Sequence, residues 1–483
     1  MTKVPEFFES FYADLCAGTT IQSLQSGLIG EGIMVPGPHG PNPLIYADYV
    51  ASGRALQQVE DRIANDVLPY YSNAHTEASF CGRQINRLRA GARHVVATAC
   101  GADEDHAVIF AGGGATAGLT KLPGLLGVDT MVASRRSPLV LTGPYEHHSN
   151  ILPWRESGAE VIEIAEAPDG GPDMGDLADH LAANRERPII GSFSAASNVT
   201  GIISDVAAIT RLLKEHGAIS VWDYAGAGPY LPIDMALGMD AVVVSPHKFI
   251  GGPGAAGVLI LRRDAIKRAR PTSPGGGTVR FVSPWGQDYS CDVVAREEAG
   301  TPNVIGDIRA AMCFIVKDAI GLDRMAARLE THRRKAVAAW LNAPGLTLLT
   351  NPNAAALPIF SFMVHNELGQ VVHPQLVCRI LSDHFGIQAR GGCACAGPYA
   401  HRLLNIDQAM SNRLRQDILS GNEIAKPGWT RLAFSALMDG AKADYIIDAV
   451  ARIARDPDAF TKDYTVDPAT ARFTPAQRKA LIL

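Results

Sequence analysis

With 483 residues, 47% of them hydrophobic and 19% charged, the chain exceeds one ordinary hydrophobic core and carries apolar mass for two. A net charge of −5 and a pI near 6.3 leave no basic excess to neutralise phosphates, which excludes a nucleic-acid or anionic-membrane partner. No apolar run is long enough for a bilayer, acidic residues stand where a signal peptide has its apolar region, and eight cysteines are too sparse for a disulfide scaffold, so a soluble cytoplasmic protein is expected.

Pro5 to Cys16 predicts a helix, and the Gly/Pro-rich passage from Ile29 to Pro41 cannot continue one, so residues 1–45 are expected to form an arm crossing a surface. Tyr46-Ala47-Asp48-Tyr49-Val50-Ala51-Ser52-Gly53-Arg54 fits a short edge strand and turn. Helical patterns follow near Gln57–Val67 and, after Asn73-Ala74-His75-Thr76-Glu77, on through Val96. The strand His106–Phe110 then runs into Ala111-Gly112-Gly113-Gly114-Ala115-Thr116. A strand, a glycine run and a helix start aim backbone N–H groups and the helix dipole at an anion. Neither GxGxxG nor GxxxxGK[ST] occurs, so the dinucleotide and P-loop readings lose support. Pro123 is expected to cut this helix short.

The strand Leu139–Gly143 delivers His147 and His148, and Val161–Ile164 and Ile189–Ser194 are the next strands. Ser204 is expected to cap a helix from Asp205 to His216 that stops at Gly217, and Ile219–Asp223 follows as a buried strand. The β-branched run Asp240–Val244 ends in Ser245-Pro246-His247-Lys248, and Val258–Leu261 closes the core. Strands alternating with helices predict a mostly parallel sheet with helices on both faces, in a large domain over 46–306. A lysine or histidine at a strand end is ordinarily a solvated or hydrogen-bonded polar residue, and Asp223 alone reads as a cap. Yet a partly desolvated lysine amine forms Schiff bases with carbonyl cofactors, and one helix-forming span between Asp223 and Lys248 lets parallel strands bring both to one edge. The loop Pro271–Thr278 has the composition of a lid.

Amphipathic helices over Ile308–Ile320 and Asp323–Asn342 and an alternating strand at Pro358–Val364 predict a smaller α+β domain, 307–483. Within it, Cys393-Ala394-Cys395 lacks the further ligands a zinc site needs, with only His401 at hand, so no metal is expected. The pair reads either as small loop residues or as a thiolate nucleophile on a glycine-rich loop. Arg431, in Thr430-Arg431-Leu432-Ala433-Phe434-Ser435, is either a salt-bridged strand residue or a fork for a carboxylate.

These segments, in this order, resemble fold-type I pyridoxal 5′-phosphate (PLP) enzymes of the class V aminotransferase and cysteine desulfurase group. The matching strings are Ser245-Pro246-His247-Lys248-Phe249 before Gly251-Gly252-Pro253-Gly254, Tyr46 to Arg54, Glu146-His147-His148-Ser149-Asn150-Ile151-Leu152-Pro153-Trp154, Ser197 to Gly201, Glu298-Ala299-Gly300-Thr301-Pro302-Asn303, Arg390 to Ala396, and Thr430 to Ser435. The resemblance implies an α/β fold, a large PLP domain with a mostly parallel seven-stranded sheet and a smaller α+β C-terminal domain. It makes Lys248 the Schiff-base lysine, with Gly114, Ala115, Thr116, Ser245 and His247 around the cofactor phosphate and Thr301 reaching that of a neighbouring subunit, hence a homodimer with shared sites. His147 inherits ring stacking and proton handling, Asn198 a contact to the phenolic oxygen, and Asp223 the pairing with the pyridine nitrogen. Arg431 and Arg390 fall to the substrate, and Cys395 becomes the nucleophile that takes sulfur from cysteine as a persulfide.

The pattern departs from the group at Asp223-Tyr224-Ala225-Gly226, where glycine stands in place of the usual glutamine, and at Cys393, where histidine is more common; the doubled cysteine is similar to the loop of molybdenum-cofactor sulfurases. The expected activity is conversion of L-cysteine to L-alanine, with a sulfur-acceptor protein as a further partner. An aminotransferase, epimerase or β-lyase using another amino acid, or a non-catalytic sulfur-relay scaffold, are the alternatives.

Overall fold

A computed structural model of the chain describes residues 5–18, 20–38 and 40–476; the parts of the expected arm at residues 1–4, 19 and 39, and the last residues from 477, lie outside the described residues. The chain divides into two compact units, one of Met1–Ile29, Ser52–Ser197 and Ile203–Leu322, the other of Gly30–Ala51, Asn198–Ile202 and Asp323–Leu483.

The first unit is built on seven strands: β1 (His106–Gly112), β2 (Leu139–Thr142), β3 (Glu160–Glu163), β4 (Ile189–Ser194), β5 (Ile219–Asp223), β6 (Ala241–Val244) and β7 (Gly257–Arg262). They lie side by side in the order β1-β7-β6-β5-β4-β2-β3. β2 to β6 are mutually parallel, and β7 is antiparallel to both of its neighbours, which turns β1 back into the parallel direction. The C-terminal ends of β1 to β6 therefore share one edge, where open α/β sheets place their ligands. The apolar runs of β2 and β4 to β6 are buried because helices cover both faces of such a sheet. Leu119, Leu122, Trp154, Ile190, Val221, Val243 and Leu259 meet in its core.

The helices that matter here are α1 (Glu6–Cys16), α2 (Phe80–Ala99), α3 (Gly114–Leu125), α4 (Val206–Glu215) and α5 (Val304–Ile320). Pro123 does not cut α3 short, contrary to expectation; the helix runs on to Leu125, so only its last turn carries the missing N–H. The cap of α4 is Asp205, which accepts from Ala208 N–H, and not Ser204, whose hydroxyl donates to the Ser194 carbonyl. α1 buries Phe8, Phe11 and Leu15, and α5 packs on α1 and α2, so residues 307–322 go with the first unit and not with the C-terminal one.

The second unit carries β8 (Leu346–Leu349), β9 (Ile359–His365), β10 (Arg390–Gly392) and β11 (Trp429–Ala433) in the order β8-β9-β11-β10, all antiparallel, with the short strand Val371–Val372 on β9. Ile45–Tyr46 pairs in parallel with Ile387–Gln388, and Asp48 bridges to Ala433. The Tyr46–Ala51 stretch thus belongs to this unit, as a two-stranded pair and a single bridge, instead of opening the large domain.

Candidate active site

In the first unit, Pro246–Lys248 form one tight helical turn off the end of β6. The turn is braced from below by the Ser52-Gly53-Arg54 segment. Gly53 N–H donates to the His247 carbonyl at 2.9 Å, and Gly251 N–H to the Arg54 carbonyl at 2.8 Å. A Cβ on Gly53 would stand 1.8 Å from the Phe249 carbonyl oxygen, so only glycine allows this approach. The signature around Gly53 is therefore the floor of the lysine turn, a role that its reading as an edge strand and turn left unseen.

Asp223, at the end of β5, is in register with Val243 of β6 and Ser194 of β4. Its Oδ1 accepts from Ala225 N–H at 2.7 Å. Burial raises its pKa, opposed by that N–H and by Lys248 acting through space. Burial, with Lys248 second, pushes His247 down to about 4, so its ring is neutral at physiological pH.

At the end of β1, Gly114 opens α3 with a φ of +66° and packs so closely that a Cβ would meet His247 Cε1 at 2.9 Å and Ser245 Oγ at 3.2 Å. Ala115 N–H donates to Ser245 Oγ at 2.9 Å, and Thr116 Oγ1 lies 2.8 Å from Ser149 Oγ. The cluster Gly114, Ala115, Thr116, Ser245 and His247 expected from sequence is thus brought together at one strand edge. His147 joins it through Ser149, whose N–H donates to His147 Nδ1 at 3.1 Å. A ring nitrogen that accepts carries no proton, so neutral His147 holds its proton on Nε2.

The residue before it was not foreseen. Glu146 is fully buried; Oε1 accepts from Ser194 N–H at 2.8 Å, and Oε2 contacts Ser194 Oγ at 2.7 Å and Asn150 Nδ2 at 2.5 Å. Asn150 Oδ1 continues the network to Ser192 Oγ and Trp154 Nε1. Burial raises Glu146 to about 7 despite the hydrogen bonds from Ser194 and Asn150. The string from Glu146 to Trp154 is largely this network, which locks the β2 exit onto β4.

In the second unit, Arg431 is buried in β11, opposite Arg390 of β10. Its Nη1 donates to the Asn198 carbonyl at 3.0 Å, its Nη2 stands 3.5 Å from Asp48 Oδ1, and its Nε has no hydrogen-bond partner among the described residues. Arg390, more exposed, donates from Nε to Asp48 Oδ2 at 2.9 Å. Burial lowers the pKa of Arg431; the Asp48 carboxylate opposes that shift and Arg390 adds to it. Asp48 went unnoticed in sequence, although it sits in the Tyr46–Arg54 signature. Asn198 Nδ2 donates to the Ala394 carbonyl at 2.8 Å, which ties the Cys393–Cys395 loop, while its buried Oδ1 has no partner among the described residues. Cys395 is exposed and Cys393 partly so, both as free thiols. Thr301 is exposed on the loop before α5, and the neighbouring Glu298 anchors that loop to Arg89, Arg93 and Phe110 N–H.

The chain matches the family model for aminotransferase class-V over residues 45–414. It is 29% identical over 371 residues to the "Probable cysteine desulfurase" of Streptomyces coelicolor, covering 75% of this chain and 86% of that one. It is also 29% identical to the cysteine desulfurase of Klebsiella pneumoniae, over 74% of this chain and 86% of that one. The apo structure of a cysteine desulfurase from Thermococcus onnurineus superposes with a TM-score of 0.71 at 24% identity, covering 85% of this chain and 95% of that one. The fold is therefore fold-type I, and the residues of the first unit fit the cofactor such proteins use. A Cβ on Gly112 or Gly113 would meet nothing within 4 Å, so the backbone entering α3 faces open space, and the buried carboxylate of Asp223 suits a protonated ring nitrogen. By its matched sequence and its sheet, the chain belongs to the class V aminotransferase family, whose members are in general pyridoxal phosphate-dependent enzymes.

Proposed function

We propose that this chain is a PLP-dependent cysteine desulfurase that converts L-cysteine to L-alanine and receives the sulfur on Cys395. The observation that supports this reading over a plain aminotransferase, epimerase or β-lyase is that one residue, Asn198, holds Arg431 by its carbonyl and ties the Cys393–Cys395 loop by its side chain. A guanidinium able to grip a substrate carboxylate and a thiol on a loop tied to the same asparagine suit a sulfur-bearing amino acid.

Bound at the strand edge, PLP supplies the electron sink that labilises bonds around the substrate's α-carbon. Lys248 Nζ holds the cofactor and afterwards moves a proton; Asp223 keeps the pyridine nitrogen protonated. Gly114, Ala115, Thr116, Ser245 and His247 would bind the phosphate. His147 stacks on the ring and donates or takes its proton at Nε2. Arg431, with Arg390, grips the substrate carboxylate. Cys395 Sγ attacks the substrate sulfur, a Sγ–S bond forms as the Cβ–S bond breaks, and the carbon keeps the electron pair and is protonated to alanine. Asn198 would contact the cofactor's phenolic oxygen, and Thr301 would serve the phosphate of a partner subunit in a homodimer. The enzyme acts in the cytoplasm, where the Cys395 thiol stays reduced, and hands its sulfur to an acceptor protein.

The test is alanine and sulfide release from L-cysteine under reductant. Wild type is expected to give both, Lys248→Ala to lose the yellow absorbance and at least about 100-fold in alanine, and Cys395→Ala to lose sulfide. A yellow wild type that forms no alanine overturns the desulfurase reading and leaves another amino acid as substrate; a colourless one that binds no PLP is the scaffold.

A further inference from the structure

Cys393 has no part in this scheme, yet the loop is shaped around both thiols. Ala396 N–H donates to the Cys393 carbonyl at 3.1 Å, and Ala394 and Cys395 both have a φ of +54°. These are the marks of a type I′ turn with Cys393 at its first position and Cys395 at its third. Left-handed backbone costs a residue with a side chain roughly 1–2 kcal/mol, and neither central residue is the glycine or asparagine such turns favour. The surroundings hold the turn instead. Asn198 Nδ2 takes the Ala394 carbonyl, and a Cβ on Gly391 or Gly428 would come within 2.9 Å of Pro374 or 2.6 Å of Gly392.

The strained turn has a chemical consequence. A left-handed residue is the mirror image of a helical one, so Ala394 draws the Cα atoms on either side of it to about 5.4 Å. Cysteines bridge when their Cα atoms lie roughly 4.4–6.8 Å apart, whereas an extended Ala394 would set them at about 6.6–7 Å.

We propose that Cys393 is the resolving thiol for Cys395. Once Cys395 carries a sulfane sulfur, the Cys393 thiolate attacks Cys395 Sγ. A Cys393–Cys395 disulfide forms, the persulfide S–S bond breaks, and hydrosulfide leaves with its electron pair. The sulfane sulfur is reduced to sulfide, the two thiols are oxidised to the disulfide, and a dithiol reductant restores them by exchange. The step rests on the desulfurase reading for its sulfur. It gives the chain a route to free sulfide that needs a dithiol and no docked acceptor.

The experiment is a single turnover of the reduced holoenzyme, freed of small thiols and kept anaerobic, with one equivalent of L-cysteine. Alanine and sulfide are measured, and the chain is read by intact and peptide mass. Wild type is expected to release one sulfide per chain and end two hydrogens lighter, with Cys393 and Cys395 in one cross-linked peptide. Cys393→Ser is expected to keep the added sulfur on Cys395 and to release sulfide at least about tenfold more slowly until dithiothreitol is added. A wild-type chain that holds a stable persulfide on either cysteine, or a Cys393→Ser chain that releases sulfide as fast as wild type, overturns the proposal. Absence of alanine would count against the desulfurase reading alone; inorganic polysulfide then loads the sulfur without the cofactor, and the same two outcomes decide the role of Cys393.

Discussion

Arg431 shares one carboxylate, Asp48, with Arg390, and points an unpaired Nε into its surroundings. Its charge is buried and only partly compensated, which is the state of a guanidinium awaiting a second anion. A planar fork with a fixed spread of donors can hold the Asn198 carbonyl, Asp48 and a substrate carboxylate together; an ammonium cannot. Arg431→Lys is accordingly expected to raise the KM for L-cysteine at least about tenfold while PLP absorbance stays, since PLP is assigned to residues of the other unit. Steady-state kinetics at saturating PLP checks this, and an unchanged KM would remove Arg431 from the substrate.

At the scale of elements, the exit of β2 is held by a carboxyl group whose proton burial retains up to about pH 7. Native Glu146 releases it only at about 7, whereas an ordinary glutamic acid does so near 4.5. Between those pH values the folded chain binds the extra proton, so this group's contribution to stability is present at the acid end and fades as pH rises, by up to about 1.4 kcal/mol per pH unit. Glu146→Gln is expected to flatten that slope. Urea midpoints of wild type and variant at the two ends of the window read it directly, and parallel pH profiles would show that Glu146 is charged in the native state. The same elements mark what the sequence can carry. The runs in β4, β5 and β6 were legible because a strand covered on both faces is apolar throughout, and the lysine turn was legible because it is local. The choice of Asp205 over Ser204 as cap was not, because both residues cap well and a distant carbonyl, Ser194, claims the serine. Nor was the tether from Asn198, whose partner lies 196 residues away.

For the molecule as a whole, the proposed role of Thr301 at a neighbour's phosphate predicts an activity that depends on association. Its loop is pinned by Glu298 to Arg89 and Arg93, which keeps the threonine presented at the surface. The specific activity is expected to fall on dilution in step with the dimer fraction seen by analytical ultracentrifugation; a monomer with full activity per chain would exclude shared sites. The large sheet was foreseen because its strands follow one another along the chain. The smaller unit was drawn too simply, as one C-terminal block, because strand pairing between Ile45–Tyr46 and Ile387–Gln388 leaves no trace in local pattern.

That pairing sets an order of events at the ribosome. Asp48 is made early, but its partners Arg390 and Arg431 emerge 342 and 383 residues later, on the order of tens of seconds at ordinary translation rates. Until Ile387–Gln388 emerges, Ile45–Tyr46 is an unpaired edge. The large sheet can form on the nascent chain, while the arginine pair acquires its carboxylate only after nearly the whole polypeptide has been released. A chain truncated between Leu322 and Arg431 would keep the lysine turn and lack the clamp.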